Sequence, residues 1–516
     1  MTQRQHKDTD MEETYYHLTL EATLTPLTPL SIGNGERVTK DSEIKPENHH
    51  SEALHRITEN EMALCQDKDQ RFYIPGSSLK GSVRNAARCF DTPEAHTQWI
   101  FGDKASLQEN QTQTQTQTQT SVGGNVRFLN AYCRLDNKTD SLTHTRTRNR
   151  IDPVTGTAKD AHLFDHNGIK PGTPFTFTVH IEQATQQQLT ALITLLQRWG
   201  NAHFTLGRGG NNQFGAFSLC MDNLYGITQA HYMQWLSAQS AAPLSDYVHA
   251  LPIKTEDCTP ANSGYTRVAI TLTPLSPLFI GSGQTAEHSE EKEGKAQSYH
   301  VATLLRNTQG EIILPATSLR GVMRHQGQKI LNTLNHFFAD SDGQRHAHTA
   351  EQKATALLSR LFGDEQHAST IKLTDFVAQQ PQLTEQRFIA IDRFTGGVKD
   401  GALYSVEKCL ITDYKGELLI DNRLFSRQYH SELAMLLLIL RDLLDGELLL
   451  GGLKNKGFGK TTAHIQITDS VLAADCPHIT HWGQFIAYWN QASLPNLGEL
   501  MDAFNLAFVA QQEHVS

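Results

Sequence analysis

The chain lacks any Cys-x-x-Cys pair, and its seven cysteines, at positions 65, 89, 133, 220, 258, 409 and 476, are scattered and odd in number. That supports neither a disulfide framework nor a structural zinc site, and the thiols read as buried. Also missing are an apolar run long enough to span a membrane and an N-terminal signal pattern, so a cytoplasmic protein without membrane partners is expected. Positive charge is scarce. The formal net charge is −10, which argues against coating nucleic acid through a bulk positive field and leaves only local basic stripes for that task. The 25 histidines are dispersed apart from His49-His50, with no His-x-x-x-His on an apolar helix face. Neither a P-loop nor a dinucleotide fingerprint occurs in full.

What is present is a repeat. The 516 residues, 38% hydrophobic and 19% charged, have a globular composition and fit two or three domains. An internal duplication decides for two. YIPGSSLKGSVR (Tyr73 to Arg84) returns as ILPATSLRGVMR (Ile313 to Arg324). In both, a β-rich run ends at proline and a turn of small residues leads to Leu79 or Leu319, which opens a basic helix. A helix start offers unpaired N–H groups and the positive end of a dipole. Ser77, Ser78, Thr317 and Ser318 can cap it, and Lys80, Arg84, Arg320 and Arg324 add charge suited to phosphate. The alternative is an ordinary capped helix with a solvated basic face.

Two further pairs match in the same order. RIDPVTGTAKDAHLF (Arg150 to Phe164) and AIDRFTGGVKDGALY (Ala390 to Tyr404) share Ile-Asp, Thr-Gly and Lys-Asp without a gap. Each reads as a projecting hairpin, either one kept by duplication alone or an arm that contacts a ligand. LGRGGNNQFG (Leu206 to Gly215) and LGGLKNKGFG (Leu450 to Gly459) are glycine-rich loops allowing close backbone approach to a ligand, with Arg208, Lys454 and Lys456 adding charge.

Residues 1–14 are polar and read as disordered. The first domain is expected over 15–222, with a flexible Gln-Thr loop at 109–121. A linker at 223–264 and a second domain at 265–466 follow. The helix-prone segment 467–516 has no partner in the first half; it packs across the second domain or receives a neighbouring subunit. Strands are expected from Tyr15 to Leu30 with a partner from Val268, and from Pro174 with a partner from Lys408. Amphipathic helices are expected at Thr185 to Trp199 and Ser431 to Leu444. The order suggests an α+β fold of two tandem ferredoxin-like, RRM-like domains with hairpin insertions and a helical C-terminal tail.

With these motifs the sequence resembles the RAMP superfamily of CRISPR systems, specifically the backbone subunit of type III effector complexes, here as a fusion of two such subunits like those of type III-D assemblies. The resemblance implies guide (CRISPR) RNA, target RNA and other effector subunits as partners. It implies that the basic helices and glycine-rich loops grip guide phosphates, and that the hairpins, with Arg150, Lys159, Arg393 and Lys399, act as thumbs wedged between base pairs. Ser77, Ser78, Lys80, Arg84, Ser318, Arg320 and Arg324 would lie on the guide backbone. It also implies a Mg2+-dependent endoribonuclease site on the loop before the IPG turn, where the family places aspartate. That position falls at Glu61 here and at His300 or Val301 in the second copy, with Asp41 and Asp67 as nearby substitutes, so the second half is expected to be inactive. Competing expectations are a free-standing RAMP ribonuclease processing repeat RNA, with a base such as His300, and a non-catalytic RNA-binding scaffold.

Overall fold

The computed structural model describes residues 13–38, 61–90, 92–102, 123–135, 142–151, 158–201, 204–210, 213–237, 243–254, 264–292, 295–338, 356–364, 366–399, 403–410, 412–469, 479–491 and 494–509. The expected N-terminal disorder, the Gln-Thr loop and Asp41 lie outside them, apart from the chain from residue 13 on. Two units are resolved, with the main division between Ser263 and Gly264.

In the first unit, strict alternation places Leu18, Leu20, Ala22 and Leu24 on the buried face of β1 (Thr14–Pro26). Next come β2 (Gly33–Val38), β3 (Glu61–Leu64), β4 (Tyr73–Ile74), α1 (Gly76–Cys89) and α2 (Glu94–Phe101). Two short strands follow, β5 (Val126–Phe128) and β6 (Ala131–Cys133). A long hairpin follows, β7 (Thr143–Ile151) and β8 (Ala158–Ile169), and then β9 (Phe175–Thr185), α3 (Gln186–Asn201), β10 (Phe217–Thr228), α4 (Gln229–Ser237) and β11 (His249–Ala250). The sheet runs β11-β10-β1-β9-β6-β4. Its central four are the fourth, first, third and second strands of a βαββαβ unit, all antiparallel to their neighbours. This unit extends beyond residue 222. The stretch expected to be a linker continues β10, whose Tyr225 pairs with Ala250, and in α4 Tyr232 stacks on Tyr16 at 4.6 Å.

The second unit repeats the plan. It contains β12 (Tyr265–Pro274), β13 (Gly281–Lys292), β14 (Lys295–Leu304), β15 (Ile313–Leu314) and α5 (Ala316–Phe338). Then come a helix over 356–362 (α6), β16 (Ile371–Leu373), β17 (Phe376–Ala378), β18 (Leu383–Phe388), β19 (Tyr404–Cys409), β20 (Tyr414–Asp421), α7 (His430–Leu444) and β21 (Thr461–Asp469). Sheet order is β15-β17-β20-β12-β21, the same sequence of strands. The C-terminal helices α8 (Trp482–Gln491) and α9 (Leu497–Val509) complete the chain, and α9 packs on α7. Phe485, Trp489, Leu500 and Phe504 are buried there, so the tail packs on the second unit. This packing also explains why α7 is apolar nearly all round: sheet covers one side and tail the other.

Several expectations are corrected. Both basic helices begin three residues earlier than Leu79 and Leu319, at Gly76 and Ala316. The counterpart of β9 is β20 rather than the stretch from Lys408 to Tyr414, because Lys408 and Cys409 still belong to the hairpin strand β19. Gly416 disguises β20 in the sequence. A Cβ there would lie 2.7 Å from the Phe376 ring, so the strand needs glycine at that point. The charged stretch from Thr285 pairs as an antiparallel ribbon, β13 on β14. Among the described cysteines, 65, 133 and 409 are buried while Cys89 and Cys220 are exposed.

Candidate nucleic-acid interface

Antiparallel 4-1-3-2 topology collects three connections at one end of each sheet: the chain leaving the first strand, the hairpin between the second and third, and the loop entering the fourth. In the first unit, contacts confirm the meeting. Leu30 bridges Ile169 at the hairpin root, Arg208 N–H donates to Ser31 O at 2.8 Å, and Gly215 N–H donates to Pro29 O at 2.8 Å. In the second, Leu278 bridges Cys409, Gly452 N–H reaches Phe279 O at 2.8 Å and Gly459 N–H reaches Pro277 O at 3.1 Å.

The hairpins agree residue for residue. Thr143 pairs with Ile169 and Arg148 with Phe164 in the first; Leu383 pairs with Cys409 and Phe388 with Tyr404 in the second. Both partners move by the same step, 383 − 143 = 409 − 169 = 240. Nearer the tip, Ile151 opposite Ala158 is matched by Ile391 opposite Val398. The tip at 152–157 and the side chains of Arg150 and Lys159 lie outside the described residues. In the second tip, Asp392 Oδ1 accepts from the backbone N–H groups of Phe394 and Thr395, both at 2.9 Å. This tight turn leaves Arg393 and Lys399 exposed and Phe394 96% exposed, with Ile391 and Val398 also in solvent. Large apolar side chains so placed mark a contact surface.

The glycine-rich loops make their close approach to the protein's own backbone. Gly215 (φ +79) and Gly459 (φ +92) are left-handed, and a Cβ at either would collide with the carbonyl oxygen of Leu206 or Leu450. Glycine therefore closes the loop on itself. That leaves its charged residues, Arg208, Lys454 and Lys456, exposed. Phe214 and Phe458 are buried at the loop's end and pack against the hairpins. Arg148 lies over the Phe214 ring at 5.2 Å, and His166 is 4.2 Å from the same ring. Burial, reinforced by Arg148, Arg208 and Arg146, pushes the His166 imidazole down to about 4. His144 is lowered likewise, by burial and by Arg146 and Lys170.

Capping of the basic helices differs from expectation. The N-cap of α1 is Pro75, with no side-chain cap bond from Ser77 or Ser78. Instead Asn130 Oδ1 accepts from Gly76 N–H at 2.9 Å, and Asp375 Oδ1 from Ala316 N–H at 2.8 Å. Each acceptor sits in the break between two short strands, and a polar Asn or Asp at the same point of both repeats was the available signal. The basic residues have internal partners as well. Arg84 donates to Phe101 O at 3.0 Å, Arg324 to Gly363 O at 3.2 Å and Arg320 to Phe362 O. These carbonyls end α2 and α6, where a guanidinium complements the helix dipole. Burial lowers Arg320 to about 10. Lys80 is half-buried, lowered by desolvation and by Arg84, and has no ion-pair partner among the described residues. Ser77 is exposed, while Ser78 and Ser318 are half-buried.

The backbone of Glu61 lies in β3, opposite Val38, and β3 runs against β8; its side chain lies outside the described residues. Asp67 is engaged in a turn, accepting from the Asp69 and Arg71 backbones, both at 2.9 Å, as Asn307 does in the second unit. In β14, His300 is exposed and Val301 buried. Among the described residues no three His, Cys, Asp or Glu side chains converge to hold a metal ion; the Glu61 side chain and Asp41 are not among them. No described helix is long and apolar enough to cross a membrane.

A family model for the RAMP superfamily matches residues 23–218 and 271–462, one stretch in each unit. No curated protein matches the chain.

Proposed function

Since the chain belongs to the RAMP superfamily and carries its domain twice, we propose that it is a backbone subunit of a CRISPR type III effector, a fusion of two such subunits. In this reading it binds guide RNA along both units and presents target RNA to it alongside other effector subunits. The observation that carries the reading is the pair of hairpins, matched in register, with Phe394 bare at the tip of the second. An aromatic ring offered to solvent on a rigid ribbon suits stacking on a base, which tolerates any sequence. Sequence would then be read by the guide, and the protein would read phosphate, sugar and shape. Purifying the chain with its co-expressed neighbours and sequencing the bound nucleic acid tests this. Short RNAs sharing a 5′ tag are expected; a chain free of RNA would remove the proposal.

Target cleavage in the first unit is a narrower proposal, supported by the position of β3 beside β8. Glu61→Ala should abolish Mg2+-dependent cuts in labelled target RNA, and cutting that persists unchanged would take Glu61 out of the reaction. The second unit offers exposed His300 and buried Val301 at the matching place, which suits a scaffold.

A further inference from the structure

We propose that Gly81 and Gly321 are the points at which a bound RNA strand lies directly on the protein, one sugar-phosphate step against the bare backbone of each basic helix. The proposal rests on the RNA-binding reading and assigns it one contact in either unit. Glycine is the least favourable residue in a helix interior after proline, because it gives up the most backbone freedom on folding. A helix has reason to keep one where a Cβ would collide. Gly200 in α3 has that reason, since a Cβ there would lie 2.5 Å from Leu219 Cβ, and so has Gly327 in α5, at 2.8 Å from the Leu358 side chain. Gly81 and Gly321 have none. Each is the sixth residue of its helix, exposed and without a positive φ, and a Cβ on either would meet nothing within 4 Å among the described residues. The glycine nonetheless occurs at the same step of both repeats, 321 − 81 = 240. What a missing Cβ does at an open helical position is let something outside the chain come closer.

The surface around each glycine selects the ligand. On α1, Ser77 and Asn85 lie one turn to either side of Gly81 and Arg88 lies two turns on, all exposed on one face. On α5, Thr317 and His325 hold the places of Ser77 and Asn85. Lys80 and Arg320 adjoin the two glycines. Neither helix contains an Asp or a Glu along its 14 or 23 residues, although the chain as a whole carries a net charge of −10. Two acid-free, cation-bearing helices in an acidic protein suit a polyanion better than a protein partner. Hydroxyl and amide groups on either side of a bare turn can donate to phosphate and sugar oxygens, a contact that positions the strand and reads no base. A methyl group at either glycine would stand between helix and strand and lengthen those hydrogen bonds.

The test uses the full chain, with thermal melts and with fluorescence anisotropy of a labelled single-stranded oligouridine RNA. Gly81→Ala and Gly321→Ala should each raise the melting temperature of their unit by about 2–4 °C, alanine being the better helix former. Each should also weaken RNA binding about five- to tenfold. Gly81→Leu, another good helix former with a longer apolar arm, should keep the gain in stability and weaken binding further. A glycine that served the fold would lose stability and binding together, so the opposite signs identify the contact. Alanine variants that melt higher yet bind RNA like wild type overturn the contact and leave the RNA reading standing. Variants that melt lower overturn it too, since they would give the glycine a place in the fold. If RNA binding is unchanged while a co-expressed neighbouring subunit no longer co-purifies, the bare turn seats protein and the proposal is wrong. A wild-type chain that binds no RNA overturns both readings.

Discussion

Lys456 Nζ lies 4.4 Å from the centre of the Tyr404 ring, joining the second glycine-rich loop to its hairpin. The first unit makes the same joint with the roles exchanged: the cation, Arg148, is on the hairpin and the ring, Phe214, is on the loop. Such a contact is worth about 0.5–1 kcal/mol at an exposed site and about 2 kcal/mol when desolvated. A double-mutant cycle of Lys456→Met and Tyr404→Leu, read by denaturant unfolding, should give a coupling of about 0.5–1 kcal/mol. A coupling of zero would mean that the two side chains merely lie together.

Alanine at Gly215 or Gly459 should destabilise its unit by about 2 kcal/mol or more, since a left-handed backbone and a carbonyl collision act together. Gly457 provides the comparison. It is equally left-handed, at φ +84, yet a Cβ there meets nothing within 4 Å, so Gly457→Ala should cost only about 1 kcal/mol. Thermal melts that rank the three otherwise would contradict the packing described for these loops.

Phe394→Ala removes a side chain that contributes almost no burial. Stability should stay within about 0.5 kcal/mol of wild type, while capture of target RNA by the guide-loaded complex should weaken. Equal target binding by the two proteins would leave Phe394 without a role.

The free protein should lose stability as pH falls. His166 has a folded-state value of about 4 against an ordinary value near 6.5, so the neutral form is favoured by folding and the unfolded chain binds the extra proton. Its contribution is complete above about pH 6.5 and disappears progressively down to about pH 4. Melting curves across that window should be flatter for His166→Gln than for wild type. Parallel curves would place the acid sensitivity elsewhere.

Asn130→Ala and Asp375→Ala each remove the acceptor that meets the first N–H of a basic helix. A loss of about 1 kcal/mol is expected for each. Ser77→Ala and Ser78→Ala should be nearly neutral to folding, because Pro75 caps α1 without them.

The duplication makes much of the fold legible in the sequence alone. Two weak patterns that recur in one order limit each other's interpretation, and the alternating runs of β1 and β12 are unambiguous. Misreadings arose where a residue's reason lies far away in sequence. Gly416 looks like a strand breaker until Phe376 is packed on it. Arg84, Arg320 and Arg324 look like free cations until the carbonyls closing the next helix are brought to them. Ser77 and Ser78 look like caps because they adjoin the helix start, yet Asn130 arrives from 54 residues away. The Phe214 and Phe458 joints were also hidden, since one repeat supplies the ring where the other supplies the charge.

The constant offset in hairpin pairing has a geometric corollary. From Thr143 to Ile151 a strand climbs about 27 Å at roughly 3.3 Å per residue, and Leu383 to Ile391 covers the same number of steps. Up to these last described pairs the two fingers therefore have one length. Lengthening a single strand by one residue would turn every side chain beyond the insertion to the opposite face, whereas adding one complete pair on both strands would raise the tip by one rung and reverse which face its residues present. Neither change would be silent, and two added pairs form the smallest extension that keeps each finger's inner and outer surfaces as they are.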